Sequence, residues 1–220
     1  YKHGIDANDS LVITGGNITI TAPQDGIHVN DSFSFTSANL TIDAGDDGIH
    51  SDTFIYTEGG AILVNSCYEG LEAKNIDIAG GNITIYSTDD GINANGEKNN
   101  TTNDGEKNNT TETTEEEETY IRISGGTVTI INNDVDGLDS NGSIYIDGGT
   151  ILVSLPDGNT NNAIDYGSEN NGEAVVTGGT VLGFGGSGMA EEFSTESTQV
   201  AVLYNLDDTV EAGTTFRVLD

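Results

Sequence analysis

One short acidic phrase recurs along the chain, as Asp25-Gly26-Ile27-His28, Asp47-Gly48-Ile49-His50, Glu69-Gly70-Leu71-Glu72 and Asp90-Gly91-Ile92-Asn93. With Gly4 as its first copy, its glycines stand at intervals of 22, 22, 22 and 21 residues. Gly137 resumes the series 46 residues after Gly91, and a worn copy follows at Ala163-Ile164-Asp165. A fixed period of this length means stacked supersecondary units, each of which must bury its apolar face on its neighbours.

Aligned on the glycine, the remaining residues fall into rows. An apolar residue comes next: Ile5, Ile27, Ile49, Leu71, Ile92, Leu138. An alternating pair follows, as in Leu11/Ile13, Phe33/Phe35 and Ile76/Ile78, then a Gly-Gly turn such as Gly15-Gly16 or Gly80-Gly81. A second pair closes the unit, as in Ile18/Ile20, Leu40/Ile42 and Ile83/Ile85. These are three short segments with period-two alternation and turn residues between them. Three strands in 22 residues leave no room for hairpins that bury a core alone. The pattern predicts an all-β solenoid, a parallel β-helix in which each strand pairs with its equivalent one coil away. The Gly pairs suit bends with positive φ. A propeller blade needs about 40 residues, and the leucine-rich spacing of a horseshoe is missing.

Coils are expected over residues 1–96 and 120–188, as one domain. Between them, residues 97–119 repeat Glu-Lys-Asn-Asn-Thr-Thr and end in an acidic run, which reads as a disordered loop expelled from a coil that closes around it. Residues 189–220 are expected to cap the last coil with two strands, near 199–204 and 214–219, because an open edge invites association.

The chain has 37 Asp plus Glu against 6 Lys plus Arg, a formal net charge of −31. Without the insertion the rest of the chain still holds 29 acids and 4 bases. Such a charge argues against nucleic acid and anionic membranes as partners, and no apolar stretch is long enough to span a bilayer. Cys67 is the single cysteine, so no intrachain disulfide forms, and it reads as buried filler. Tyr1-Lys2-His3-Gly4 already lies within a copy of the phrase, so a missing leader carries no information on export.

In a β-helix the acids of successive copies stack at about 4.8 Å. The row before the glycine reads His3, Asp25, Asp47, Glu69, Asp90, Asp136; the row two places after it reads Asp6, His28, His50, Glu72, Asn93, Asp139. Stacked carboxylates repel or take up protons unless a cation lies between them. Clustered hard oxygens suit Ca²⁺, and histidines that never pair with a cysteine give zinc little support. Three candidate sites follow. The first joins Asp89, Asp90 and Asn93 to Glu69 and Glu72. The second joins Asp134, Asp136 and Asp139 to the Asp90/Asn93 edge. The third uses Asp46, Asp47 and His50 with Asp25. The alternative is that each Asp-Gly merely shapes a turn.

A neighbouring row, Asn8, Asn30, Asp52, Lys74, Asn95 and Asn141, reads as an amide ladder interrupted by Lys74. Lys74 either pairs laterally with Asp52 or acts as a base beside a metal-bound uronate. On the outward face, Tyr56, Asp77, Arg122 and Tyr145 form a candidate sugar-binding file.

The phrases Asp-Asp-Gly-Ile-His, Glu-Gly-Leu-Glu-Ala-Lys and Asp-Asp-Gly-Ile-Asn-Ala, with Gly-Gly-Asn-Ile-Thr-Ile, resemble a family of secreted carbohydrate-binding proteins similar to calcium-dependent, family-nine polysaccharide lyases. That resemblance implies a right-handed parallel β-helix, calcium between coils, an extracellular location, and binding of cellulose or acidic pectic polymers. The related lyases hold calcium with Asp-Asp-Gly-x-Asp and use a lysine on a nearby coil as base. Here Asn93 replaces the last Asp, Val135 separates the acids of the later copy, and Lys74 lies upstream of both. The expectation is a monomer that binds plant cell-wall polysaccharide without cleavage; a pectate-type lyase and a structural surface stalk are the alternatives.

Overall fold

β-Branched residues at period two form strands, and strands this short hold together only by stacking on copies of themselves. The computed structural model, which describes residues 2–96, 118–132, 135–155, 161–186, 190–206, 210–211 and 213–215, shows that stacking as a parallel β-helix. The first coil carries β1 (Ile5–Ala7), β2 (Leu11–Ile13) and β3 (Asn17–Ala22), and the second β4 (Ile27–Val29), β5 (Ser32–Phe35) and β6 (Asn39–Ala44). In the next two coils the first two segments fuse, giving β7 (Ile49–Thr57) and β8 (Ala61–Cys67), then β9 (Leu71–Ile78) and β10 (Asn82–Ser87). The fifth has β11 (Ile92–Ala94), β12 (Tyr120–Ile123) and β13 (Thr127–Asn132). Then come β14 (Leu138–Ser140) with β15 (Ser143–Ser154), and β16 (Ile164–Tyr166) with β17 (Ala174–Phe184).

Every pairing between these strands is parallel, and the register is the one the repeat implies. Ile5, Ile27, Ile49, Leu71, Ile92, Leu138 and Ile164 stack as one file. Leu11, Phe33, Ile55, Ile76, Ile121 and Ile144 form a second, and Ile18, Leu40, Ile62, Ile83, Val128 and Ile151 a third. The three files meet inside the coil as one continuous core. Because side chains alternate with period two, a one-residue slip would turn each file outward, so burial itself pins the register. Cys67 belongs to this core, and burial pushes its thiol up to about 12.

The glycines divide into two kinds. The second of each Gly-Gly pair has positive φ, from 76° at Gly60 to 104° at Gly16, as expected for the bends. The phrase glycines do not need that conformation; they are required by close approach. A Cβ on Gly26 would meet the Ile42 side chain and sit 2.6 Å from the carbonyl oxygen of Gly48, and Gly4, Gly48 and Gly91 face the following copy at the same 2.6 Å.

Leu138 pairs with Ile92 and β12 pairs with β9, so the coil resumes directly across the interruption. Residues 97–117, where the sequence predicts the loop, lie outside the described residues. The end of the chain departs from expectation. No strand forms at 199–204, where Val200 and Val202 are 94% and 81% exposed. Irregular backbone lies along the edge of β17 instead: Ser194 N–H donates to the Ala174 carbonyl at 2.7 Å, and Thr198 N–H to that of Val176 at 3.0 Å. The period-two pattern there signals strand, but these bonds to β17 come from a segment too irregular to continue as a ladder. Most of the second expected strand, 216–219, is outside the described residues. Among the described residues no helix is long and apolar enough to cross a membrane.

Gly26→Ala is expected to cost about 1–3 kcal/mol of stability through overpacking, whereas Val12→Ala, on a 59% exposed side chain, is expected to stay within about 0.5 kcal/mol. Urea denaturation of the two variants measures both.

Candidate metal centre on the acidic ladder

Backbone pairing positions this site. Each phrase glycine donates its N–H to the carbonyl of the residue that precedes the glycine one coil on: Gly4 to Asp25 at 3.0 Å, Gly26 to Asp47 at 2.8 Å, Gly48 to Glu69 at 2.8 Å, Gly70 to Asp90 at 3.0 Å and Gly91 to Asp136 at 3.0 Å. These bonds draw Asp25, Asp47, Glu69, Asp90 and Asp136 into one file. The register of the strands after the glycine stacks Asp6, His28, His50, Glu72, Asn93, Asp139 and Asp165 into a second. Asp25, Asp47, Asp90 and Asn93 are all at least nine-tenths buried.

Among the described residues, three groups bring metal-ligating atoms within 4.8 Å of one another: His3, Asp25 and His28; Asp25, Asp46 and Asp47; and Asp47, His50 and Glu72. The histidine rings are stacked, with centroids 4.6 Å apart between His3 and His28 and 4.8 Å between His28 and His50. His50 is surrounded by acids: Nδ1 lies 2.6 Å from Glu72 and 3.3 Å from Asp47, and Nε2 lies 3.2 Å from Asp52. Hydrogen bonds from Asp47 and Glu72 raise the imidazole to about 11, so it stays charged. Glu72, at the shorter distance, is lowered by His50 and carries the opposing charge. Asp47 is raised to about 6 by burial against the weaker bond from His50.

Among the described residues, the two files from Glu69 to Asp165 carry no Lys, Arg or His. Burial, then Glu72 and Asp47, raises Glu69 to about 8. Burial, then Asp139 and Asp89, raises Asp90 to about 8. Asp139 and Asp165 rise to about 6, each by burial and then by the neighbouring acids. Burial disfavours the charged form and repulsion between neighbouring acids adds to it, so Glu69 and Asp90 favour the protonated form at neutral pH when no ion is bound. Asn93 Nδ2 donates to Glu69 Oε1 at 3.2 Å, while Glu69 Oε2 and Asn93 Oδ1 are buried without a hydrogen-bond partner. Asp90 Oδ1 accepts from the Asp136 N–H at 3.0 Å.

The residues singled out from the sequence are therefore distributed unevenly. Asp46 and Asp47 converge with Asp25. Glu69, Asp90 and Asn93 are neighbours on successive rungs, but Glu72 is engaged by His50. Asp136 and Asp139 stand in adjacent files, and Asp134 is outside the described residues. His3 and His28 also join these clusters, although the sequence pairs no histidine with a cysteine, and Asp165, in the worn repeat, continues the second file.

Lys74 lines an open cleft of about 350 Å³ with His50, Ser51, Asp52, Glu72, Ala73 and Asn95. Asp52 accepts from His50, and the amide ladder continues as Asn141 Nδ2 donates to Asn95 Oδ1 at 2.9 Å. On the outer face Tyr56, Asp77, Arg122 and Tyr145 form one file across β7, β9, β12 and β15. Arg122 pairs with Asp147 at 2.6 Å. Tyr120, edge-on to Tyr145 at 6.4 Å, and Phe54, stacked on Tyr56 at 6.5 Å, extend this aromatic surface.

The family described as carbohydrate-binding domain-containing protein matches residues 1–159. Comparison with curated proteins and with solved structures gives no match.

A carboxyl whose pKa is higher in the folded than in the unfolded chain binds more protons when folded, so stability falls as pH rises between the two values. For Glu69 and Asp90 that window runs from the ordinary carboxylate range, 4.5 and 3.8, to about 8. The chelator-treated protein is expected to lose thermal stability steadily between those limits, and Glu69→Gln with Asp90→Asn to flatten the decline. Melting temperatures across that pH range measure it.

Proposed function

Because the chain belongs to the carbohydrate-binding domain-containing protein family over residues 1–159, we propose that it is an extracellular, calcium-binding module that holds plant cell-wall polysaccharide, cellulose or polygalacturonate, without cleaving it. The calcium part rests on one observation: Glu69 Oε2 and Asn93 Oδ1 are buried oxygen acceptors with no partner, beside the raised carboxyl of Asp90. Oxygen-only ligands of this kind suit a hard cation of flexible coordination. The ligands proposed are Glu69, Asp89, Asp90 and Asn93, continued by Asp136 and Asp139, with Asp46 and Asp47 as a further position. Calcium there offsets the repulsion along the ladder, and a coordination place left to water accepts a uronate carboxylate. The file of Tyr56, Asp77, Arg122 and Tyr145, flanked by Phe54 and Tyr120, supplies faces for sugar rings and polar groups for hydroxyls.

A pectate-type lyase is the second reading. Lys74 favours it, since the side chain lines the cleft next to the ladder and has the chemistry of a base for β-elimination.

Retention on insoluble cellulose and on polygalacturonate beads, with calcium and with chelator, tests the proposal. Retention on polygalacturonate is expected only with calcium, and Glu69→Gln with Asp90→Asn is expected to weaken it at least tenfold. No retention on any glycan would leave a structural stalk as the better reading. Incubation with polygalacturonate and calcium is expected to give no rise in ultraviolet absorbance from unsaturated product; a sustained rise that Lys74→Ala abolishes would establish the lyase.

A further inference from the structure

The first coils of the ladder differ chemically from the rest, because nitrogen enters the ligand set. We propose that His3, Asp25 and His28 form a site for a divalent transition ion of the zinc class, adjoining the Asp46/Asp47 position through Asp25 and separate from the oxygen-only position at Glu69, Asp90 and Asn93. Both imidazoles present Nδ1 to the same carboxylate oxygen, Asp25 Oδ2, at 3.0 Å from His3 and 2.7 Å from His28. His3 Nδ1 is close but lacks hydrogen-bond geometry, and it remains a buried nitrogen without a partner. One ligating atom from each of the three residues thus lies within 4.8 Å of the others, and an ion seated among them would give His3 Nδ1 the bond it lacks.

Ring orientation points the same way. His28 and His50 are nearly parallel, at 7°, and bond to different acids, whereas His3 is tilted 31° against His28 and shares Asp25 Oδ2 with it. A tetrahedral zinc ion with bonds of about 2.0–2.1 Å keeps its ligand atoms roughly 3.3 Å apart, so the two nitrogen–oxygen spacings need open by about 0.3–0.6 Å. Asp25 is held in place for this: it is nine-tenths buried, and its other oxygen accepts from the Asp47 N–H at 3.4 Å. Such outer contacts fix a ligating carboxylate in metal sites. The imidazole edges keep a route for entry, since the His3 and His28 side chains are 19% and 26% exposed. Three protein ligands leave one place for water or an external donor.

The third histidine is excluded by its bonds. Both ring nitrogens of His50 face carboxylates at hydrogen-bond distance, which occupies both with protons. His28 therefore rests on a charged, fixed ring that sets its plane.

The test uses tag-free protein, since a polyhistidine tag would bind the same ions, and cobalt(II) as the spectroscopic stand-in for zinc. One equivalent of cobalt is expected to give visible ligand-field bands that zinc removes and an equal concentration of calcium does not. His3→Ala, in the least constrained of the ligand positions, and Asp25→Asn are each expected to weaken cobalt binding at least tenfold. The calcium-dependent melting shift of His3→Ala is expected to match that of the parent. Cobalt bands that persist unchanged in His3→Ala with His28→Ala, or that calcium abolishes at equal concentration, would overturn the site. Because the calcium response is read on the same samples, failure here is distinct from failure of the proposed calcium positions.

Discussion

Everything in this molecule depends on one backbone contact repeated along the coil: a phrase glycine giving its N–H to the carbonyl of the acid one coil on. The bond itself has ordinary length, but at the same corner the carbonyl of the next phrase glycine fills the space where a Cβ would stand, so no side chain fits. The same contact registers the apolar files inside and the acidic files outside. Core and site are therefore not independent parts joined together. A change that moves one rung displaces both.

That coupling explains a charge pattern which would otherwise be self-defeating. Burying one apolar side chain contributes about 1.5–3 kcal/mol, and each coil adds several. This supply lets the fold tolerate acids at rung spacing even where Asp25, Asp47 and Asp90 are almost fully buried. Compensation is uneven along the file. In the early coils imidazoles stand among the carboxylates, and Glu72 gains a charged partner in His50. In the later coils Asp90, Asp139 and Asp165 are buried beside other acids, and both effects raise their carboxyls.

Much of this was legible in the residues. The period fixed which side chains would be neighbours, since Asp139 over Asn93 and Arg122 over Asp77 follow from alignment on the glycine alone. It could not reveal which neighbour a side chain would choose. Glu72 is equidistant in the repeat from the coil before and the coil after, and only a flexible two-bond reach toward His50 decides the matter. The role of the phrase glycine was also hidden, because a tight approach and a left-handed turn leave the same letter. At the end of the chain, Val200, Val202 and Tyr204 alternate as a strand should, yet pairing requires a partner edge within reach, and composition carries no information about that.

Gly91 and Gly137 are separated by 46 residues of sequence and by one step of the ladder, with Ile92 on Leu138 and Asn93 on Asp139. The corner after β11 is thus a place where the polypeptide can lengthen without any rung noticing. The path leaves and rejoins the coil at that corner with its register intact, so a segment spliced there would be carried on a continuous support.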